Sequence, residues 1–293
     1  MKSGTPGFNG LRLREAREAR GLTAVALADM IGVTRGAVSQ YETNRQSPAP
    51  PIMSQISRTL NLPVQFFLRP ILPTEPALRF WRCMSSATKG ARIRAGRRHD
   101  WMREIVFYLR RYINFPLASF PDPEIAGDPA CIDESHIEEI AAETRRFWAI
   151  ADDEPISNMV WLLESKGAIV CRCELEASTL DAFSEWDPSG RPYIVLGSDK
   201  HSAARSRFDA AHELAHMLLH KNVQESDLGR PGSFKLMEDQ AHRFALAFLL
   251  PAAPFSEDFY TPSLDAPAGN DTGRSGSIRL LPWRLRPSIA RYG

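Results

Sequence analysis

The sequence predicts two folds in tandem, an all-helical amino-terminal unit and, after a basic connector, an α+β unit arranged around one buried helix. Three observations predict this. Between Leu11 and Leu68, short apolar-periodic runs alternate with capping residues and glycines, the pattern of four or five short packed helices. Residues 168–173 and 193–196 are short apolar runs, set among helical segments, that read as strands. From about 202 to 220, Phe208, Ala211, Leu214, Ala215, Leu218 and Leu219 recur at spacings of three and four, which demands a helix buried along that face.

The first unit takes shape around two threonines. Leu13, Arg14 and Arg17 mark an opening helix; Thr23 is an N-cap for a helix over 24–31 that Gly32 stops, and Thr34 caps the next, over 35–42. Two short helices joined by a glycine-containing turn make a helix-turn-helix unit. The residues Gly21-Leu22-Thr23, Leu27-Ala28, Ile31-Gly32-Val33-Thr34, Val38-Ser39 with Glu42, Arg45, Ser47-Pro48, Ile56 and Leu60 resemble the XRE class of helix-turn-helix domains over roughly 9–69. The resemblance implies a double-stranded DNA operator as partner and a structural ion pair between Arg17 and Glu42. A helix starting at Thr34 and lying in the major groove presents Arg35, Ser39 and Gln40 to base edges, with Arg35 suited to guanine and Gln40 to adenine. Val38 and Tyr41 are expected in the core. Ala24 departs from the class, which has a phosphate-contacting Gln there, and this weakens the expected affinity.

Charge agrees with a nucleic-acid partner at this end. Residues 1–70 carry nine Lys/Arg against four Asp/Glu, and residues 71–120 carry ten against three. With the whole chain at +1, the remaining residues carry −11, a polarity that suits DNA at one end and a different task at the other.

Residues 70–134 read as a connector. Pro70, Pro73 and Pro76 make an extended passage, 85–98 is small and basic, and Trp101, Ile105, Tyr108, Leu109 and Tyr112 form a helical stripe ending before Pro116. That stripe suits packing on a domain of the same chain or on a second copy, a homodimer. Residues 115–129, rich in Pro and Asp, read as a linker. The second unit, 135–260, opens with a capping box from Ser135 to Glu138 and a helix over 137–150; Pro155 begins another that Gly167 ends.

The buried helix carries the chemistry. Ala211-His212-Glu213-Leu214-Ala215-His216 puts two imidazoles one turn apart on one face, where both can reach one divalent cation, with Glu213 beside them toward a bound water. Such a site needs a third protein donor and an open position. Glu238, 22 residues after His216 at the start of a periodic segment that Pro251 closes, can supply it from a returning helix. Asp239 projects about 100° away around that helix. His220 lies on the same face as His212 and His216, but three ligands on one straight helix spread over about 12 Å, too far for one ion.

The run Arg205, Arg207-Phe208-Asp209, Ala211 to His216 and Leu219-His220, followed by Glu238, Gln240-Ala241-His242, Phe244-Ala245 and Leu249-Leu250-Pro251, resembles the ImmA/IrrE metallopeptidase family. Pro155 to Asn158, Leu163-Glu164, Gly167, Asp181 to Ser184 and Arg191-Pro192 extend the likeness over roughly 135–260. It implies a zincin-like α+β domain, Zn2+ held by His212, His216 and Glu238, and Glu213 as general base for a water that the ion activates. It also implies cytoplasmic action on a protein substrate, a repressor or antitoxin-like protein. The donor that stabilises the oxyanion is left open among His242, Arg243 and Tyr260. A second function reading is a non-proteolytic transcription factor whose metal domain senses a signal or binds a partner, since sensing also retains three ligands.

Cys83, Cys131, Cys171 and Cys173 lack zinc-finger spacing and are expected to be reduced. No apolar run reaches 18 residues and the first ten lack a signal core, so neither a membrane span nor export is expected. Residues 261–293, rich in Pro, Gly, Ser and Arg, are expected to be a poorly ordered tail.

Overall fold

The computed structural model of the chain describes residues 4–72, 88–125, 127–175, 181–198, 203–223 and 232–251. The amino-terminal unit is α1 (Gly10–Ala19), α2 (Ala24–Met30), α3 (Arg35–Glu42), α4 (Pro50–Leu60) and a 3₁₀ turn (Val64–Leu68). Thr23 and Thr34 each accept a hydrogen bond from the third backbone N–H onward, at Ala26 and Ala37, and so fix where α2 and α3 begin. Leu13, Leu27, Val38, Ile56 and Phe67 meet in one core with Tyr41 at its edge. Arg17 reaches across it and donates Nε and Nη2 to the two carboxylate oxygens of Glu42, at 2.5 and 3.0 Å.

The connector helix, α5 (Lys89–Leu109), does something different from the stripe expected of it. Ile105 and Tyr112 are exposed, at 58% and 85%, while the face made by Ala91, Ala95, His99, Met102 and Val106 is buried. That face covers Phe183, Tyr193 and Val195 of the sheet. Trp101 and Glu104, one turn apart, face the other way, toward the amino-terminal bundle: the indole meets Phe66 edge-on at 5.5 Å, and Glu104 receives both terminal nitrogens of Arg12 at 2.7 and 2.9 Å. The helix therefore has two covered faces within one chain.

Residues 115–125 form no helix or strand, as a linker would, but they are docked. Phe120 sits edge-on between Trp148 and Trp186, 5.5 Å from each ring, and the Ser119 N–H donates to the Lys166 carbonyl. Gly167, at φ +90°, lies against the Leu117 carbonyl, where any side chain would collide.

The second unit contains α6 (Glu134–Phe147), α7 (Met159–Ser165), strands β1 (Ile169–Cys173), β2 (Ala182–Trp186) and β3 (Pro192–Gly197), α8 (Ala203–Leu219) and α9 (Ser233–Leu249). Helix α6 starts earlier than the expected box: Asp133 is the N-cap, accepting from the His136 N–H at 2.8 Å, and Ser135 donates to Asp133. The sheet runs β1-β3-β2, with β1 parallel and β2 antiparallel to the central β3. Strand β2 was not foreseen. Its Ala182 faces the core with Ile194 and Leu196, and its Phe183 faces α5 with Tyr193 and Val195. Helix α8 lies on the core side of this sheet and α9 packs on α8, with α6 beyond it. Cys131 and Cys171 are free thiols; Cys83, Tyr260 and the expected tail lie outside the described residues. Among those described, no helix is long and apolar enough to cross a membrane.

Candidate metal centre

Helix α8 is buried on nearly all sides. Ala211, Leu214, Ala215 and Met217 are fully inaccessible, which is possible only because the sheet, α7 and α9 all pack against it. Such a helix holds its polar side chains in fixed rotamers. His212 is 9% exposed and opens on a cleft; His216 is wholly buried behind it. From α9, Met237, Ala241, Phe244, Ala245 and Phe248 enter the core at helical spacing, and this docking brings Glu238 over the two histidines.

The three donors converge. Nε2 of His212 and Nε2 of His216 are 3.0 Å apart, Glu238 Oε2 is 3.4 Å from the first and Glu238 Oε1 is 3.3 Å from the second. Two donors each about 2.0–2.1 Å from a tetrahedral ion stand about 3.4 Å apart, so each of these contacts, in which the two histidines meet different oxygens of Glu238, is about as long as one edge of a zinc-sized coordination sphere. Glu213 Oε2 and Glu238 Oε1 are buried and accept no hydrogen bond among the described residues, the state of carboxylate oxygens that a cation would satisfy. Burial alone works against the charged forms of both partners. Even so, the His212 and His216 rings beside it hold the Glu238 carboxyl far below the usual carboxylate range, and Glu238, Glu213 and Asp209 raise His212 above its ordinary value.

Glu213 lines the same cleft, about 450 Å³ in volume, with Phe208, Asp209, Phe234 and His242. Its backbone carbonyl is 3.5 Å from the Ser184 hydroxyl on β2, which ties this turn of α8 to the sheet. Asp181 and Ala182, at the start of the edge strand β2, form part of the wall.

The remaining residues considered from sequence go to separate places. His220 stands behind His216, its Nδ1 at 2.9 Å from the Nδ1 of His216. Asp239 is exposed and paired with Lys235. Arg243 pairs with Glu134 and Glu138 on α6, away from the donors. Of the oxyanion candidates among the described residues, His242 reaches the cleft: its ring is 4.7 Å from that of His212, and donor atoms of His212, Glu238 and His242 lie within 4.8 Å of one another. Its Nδ1 meets the Glu238 carbonyl at 2.6 Å, so Nδ1 is the donor and Nε2 is left as an acceptor. In that neutral form it offers a lone pair, as a fourth metal donor would, and no N–H for an oxyanion. Spacing of four residues from Glu238 was the signal for this, and it becomes decisive only once the tautomer is known.

On the DNA side, Arg35, Ser39 and Gln40 are all exposed on one stretch of α3, while Val38 and Tyr41 are buried.

Comparison with known families places both units. The helix-turn-helix family model matches residues 13–67, and the model of the IrrE N-terminal-like domain, a peptidase family, matches residues 163–266. Searches of curated proteins and of solved structures returned no match.

Proposed function

We infer that this chain, a helix-turn-helix domain joined to an IrrE N-terminal-like peptidase-family domain, is a DNA-binding regulator that also acts as a zinc-dependent endopeptidase on a repressor or antitoxin-like protein. The observation that carries the enzymatic reading is the triangle of His212, His216 and Glu238 with Glu213 beside it in one cleft. These three residues are the proposed ligands. A zinc ion held there supplies Lewis acidity to a scissile carbonyl and to a water. Glu213 accepts the proton of the attacking water and returns it to the nitrogen of the leaving amine, so that peptide and water become acid and amine. It is almost completely buried, and one of its oxygens has no hydrogen bond among the described residues, which leaves that oxygen available to the water. A peptide substrate fits the cleft wall, because β2 ends the sheet and its first residues line the opening, where an extended chain can pair with a strand edge.

DNA recognition is assigned to Arg35, Ser39 and Gln40, supported by their exposure on the helix that Thr34 caps.

One observation favours the non-proteolytic reading. A ring nitrogen of His242 lies within 4.8 Å of donor atoms of His212 and Glu238, so this side chain is a candidate fourth donor, and a tetrahedral ion with four protein ligands has no place for substrate. One experiment separates the two readings. The zinc-loaded chain and its Glu213→Gln variant are incubated with the proteins encoded beside it, and fragments are identified by mass spectrometry. Cleavage by the parent, lost in a variant with equal zinc content, supports the peptidase. Equal cleavage removes Glu213 as base, and intact partners in both, with zinc bound, favour the sensing role.

A further inference from the structure

His216 is the ligand farthest from solvent, and what lies behind it is more ordered than a metal site of three donors requires. Gln240, on α9, is 4% exposed, and its side-chain Nε2 is 2.7 Å from the Pro129 carbonyl and 3.0 Å from the Ile132 carbonyl. Carbonyl oxygens only accept, so the amide nitrogen is the atom on that side and the amide oxygen faces the other way. There it is 3.0 Å from Nε2 of His220. Nε2 of His220 must then carry the proton, which leaves a lone pair on its Nδ1. That Nδ1 is the atom 2.9 Å from Nδ1 of His216, so the proton between the two rings belongs to His216. A neutral His216 protonated on Nδ1 has a bare Nε2, and this is the nitrogen directed at His212 and Glu238.

We propose that Gln240 and His220 are positioning residues that hold His216 in its Nδ1–H tautomer and fix its ring, so that its Nε2 lone pair faces the ion site before any metal arrives. The Pro129 and Ile132 carbonyls, at the 3₁₀ turn before α6 (Pro129–Cys131), are the anchor of this chain of donors. His212 differs, since its Nδ1 is buried with no hydrogen-bond partner among the described residues. His216 is thus the preset ligand and His212 the adjustable one. The inference deepens the zinc reading above and rests on it for its consequence, while the tautomer itself is a property of the metal-free chain.

The test has two independent readouts. Nitrogen-15 NMR of the metal-free full chain, with the resonances assigned by a His216→Gln control, should show His216 protonated on Nδ1 and bare on Nε2. Chelator competition should show zinc affinity falling about 10- to 100-fold in His220→Phe, with most of it recovered in His220→Asn, whose side-chain oxygen can accept from His216. Circular dichroism establishes that each variant is folded. A protonated Nε2 on His216 in the parent overturns the proposal, as does a folded His220→Phe chain with parental affinity. A parent with the stated tautomer that takes up no zinc supports the relay and sinks the metal reading instead.

Discussion

Asp133 illustrates how much a single side chain settles. Its carboxylate accepts the His136 N–H and then the Ser135 hydroxyl, and these bonds hold it below its ordinary value of 3.8. Because the folded value is depressed, the stability it contributes is present above 3.8 and is lost as pH falls through the folded value. Asp133→Asn keeps a capping oxygen that cannot titrate. The parent should therefore be the more stable chain at neutral pH, and its advantage should shrink below pH 3.8; a constant gap in denaturation midpoints across that range would contradict this. The sequence pattern from Ser135 to Glu138 suggested a capping box two residues too late. Both residues have other partners: Ser135 serves Asp133, and Glu138 is taken by Arg243 on α9, a contact between helices about a hundred residues apart in the chain that no local pattern could signal. The histidines were legible for the opposite reason, since a spacing of four on an apolar-periodic helix determines their common face without reference to anything distant.

At the scale of elements, legibility tracked how far each one depends on its neighbours. Helices α2, α3 and α8 have their caps or periodicity within their own residues, and the sequence located them to within a residue or two. Strand β2 has no such signal. Its Ser184 and Glu185 are buried, so polar positions occupy both faces, and α5 offsets the burial of Glu185 by bringing Arg103 to 3.3 Å and His99 to 3.4 Å. The stripe expected on α5 is only partly buried: Trp101 packs on the bundle while Ile105 and Tyr112 stay exposed, because the sheet takes a different face, with Ala95, Met102 and Val106. Distant satisfaction also ends α9. Arg145 of α6 is 1% exposed and donates to the carbonyls of Phe248, Ala151 and Glu154, serving as a cap delivered from another helix. Burial holds its guanidinium below its ordinary value, against the pull of Asp152, Glu154 and Asp153. Arg145→Leu would take the guanidinium from the Phe248 and Glu154 carbonyls, leaving Ala151 with the Glu154 N–H alone, and should cost about 2–3 kcal/mol, read as a lowered urea midpoint, with the proposed zinc affinity falling too because α9 carries Glu238. An unchanged midpoint would mean that water serves these carbonyls as well as Arg145 does.

Across the whole molecule, the route from DNA to the cleft is a series of packed elements: α3 and α1, then α5, then β2, then α8. Its most demanding joint is Arg12, 1% exposed, which binds Glu15 at 3.0 Å and Glu104 through two nitrogens. Desolvation opposes this charge, and Glu104 and Glu15 more than offset it. A surface linker would let the two units unfold separately, whereas a buried charge shared between α1 and α5 makes each half of the joint costly without the other. Removing one partner of such a pair costs up to roughly 3–5 kcal/mol, because the survivor stays buried with fewer partners. Arg12→Ala and Glu104→Ala should each destabilise by that order, and the double variant by clearly less than their sum. In the parent, tryptophan fluorescence and far-ultraviolet circular dichroism should trace one coincident unfolding transition. In Glu104→Ala they should separate, since the amino-terminal bundle then melts without carrying α5 and the sheet with it. Additive single effects, or coincident transitions in the variant, would show that the helix-turn-helix and the peptidase-family domain are joined by something other than this pair.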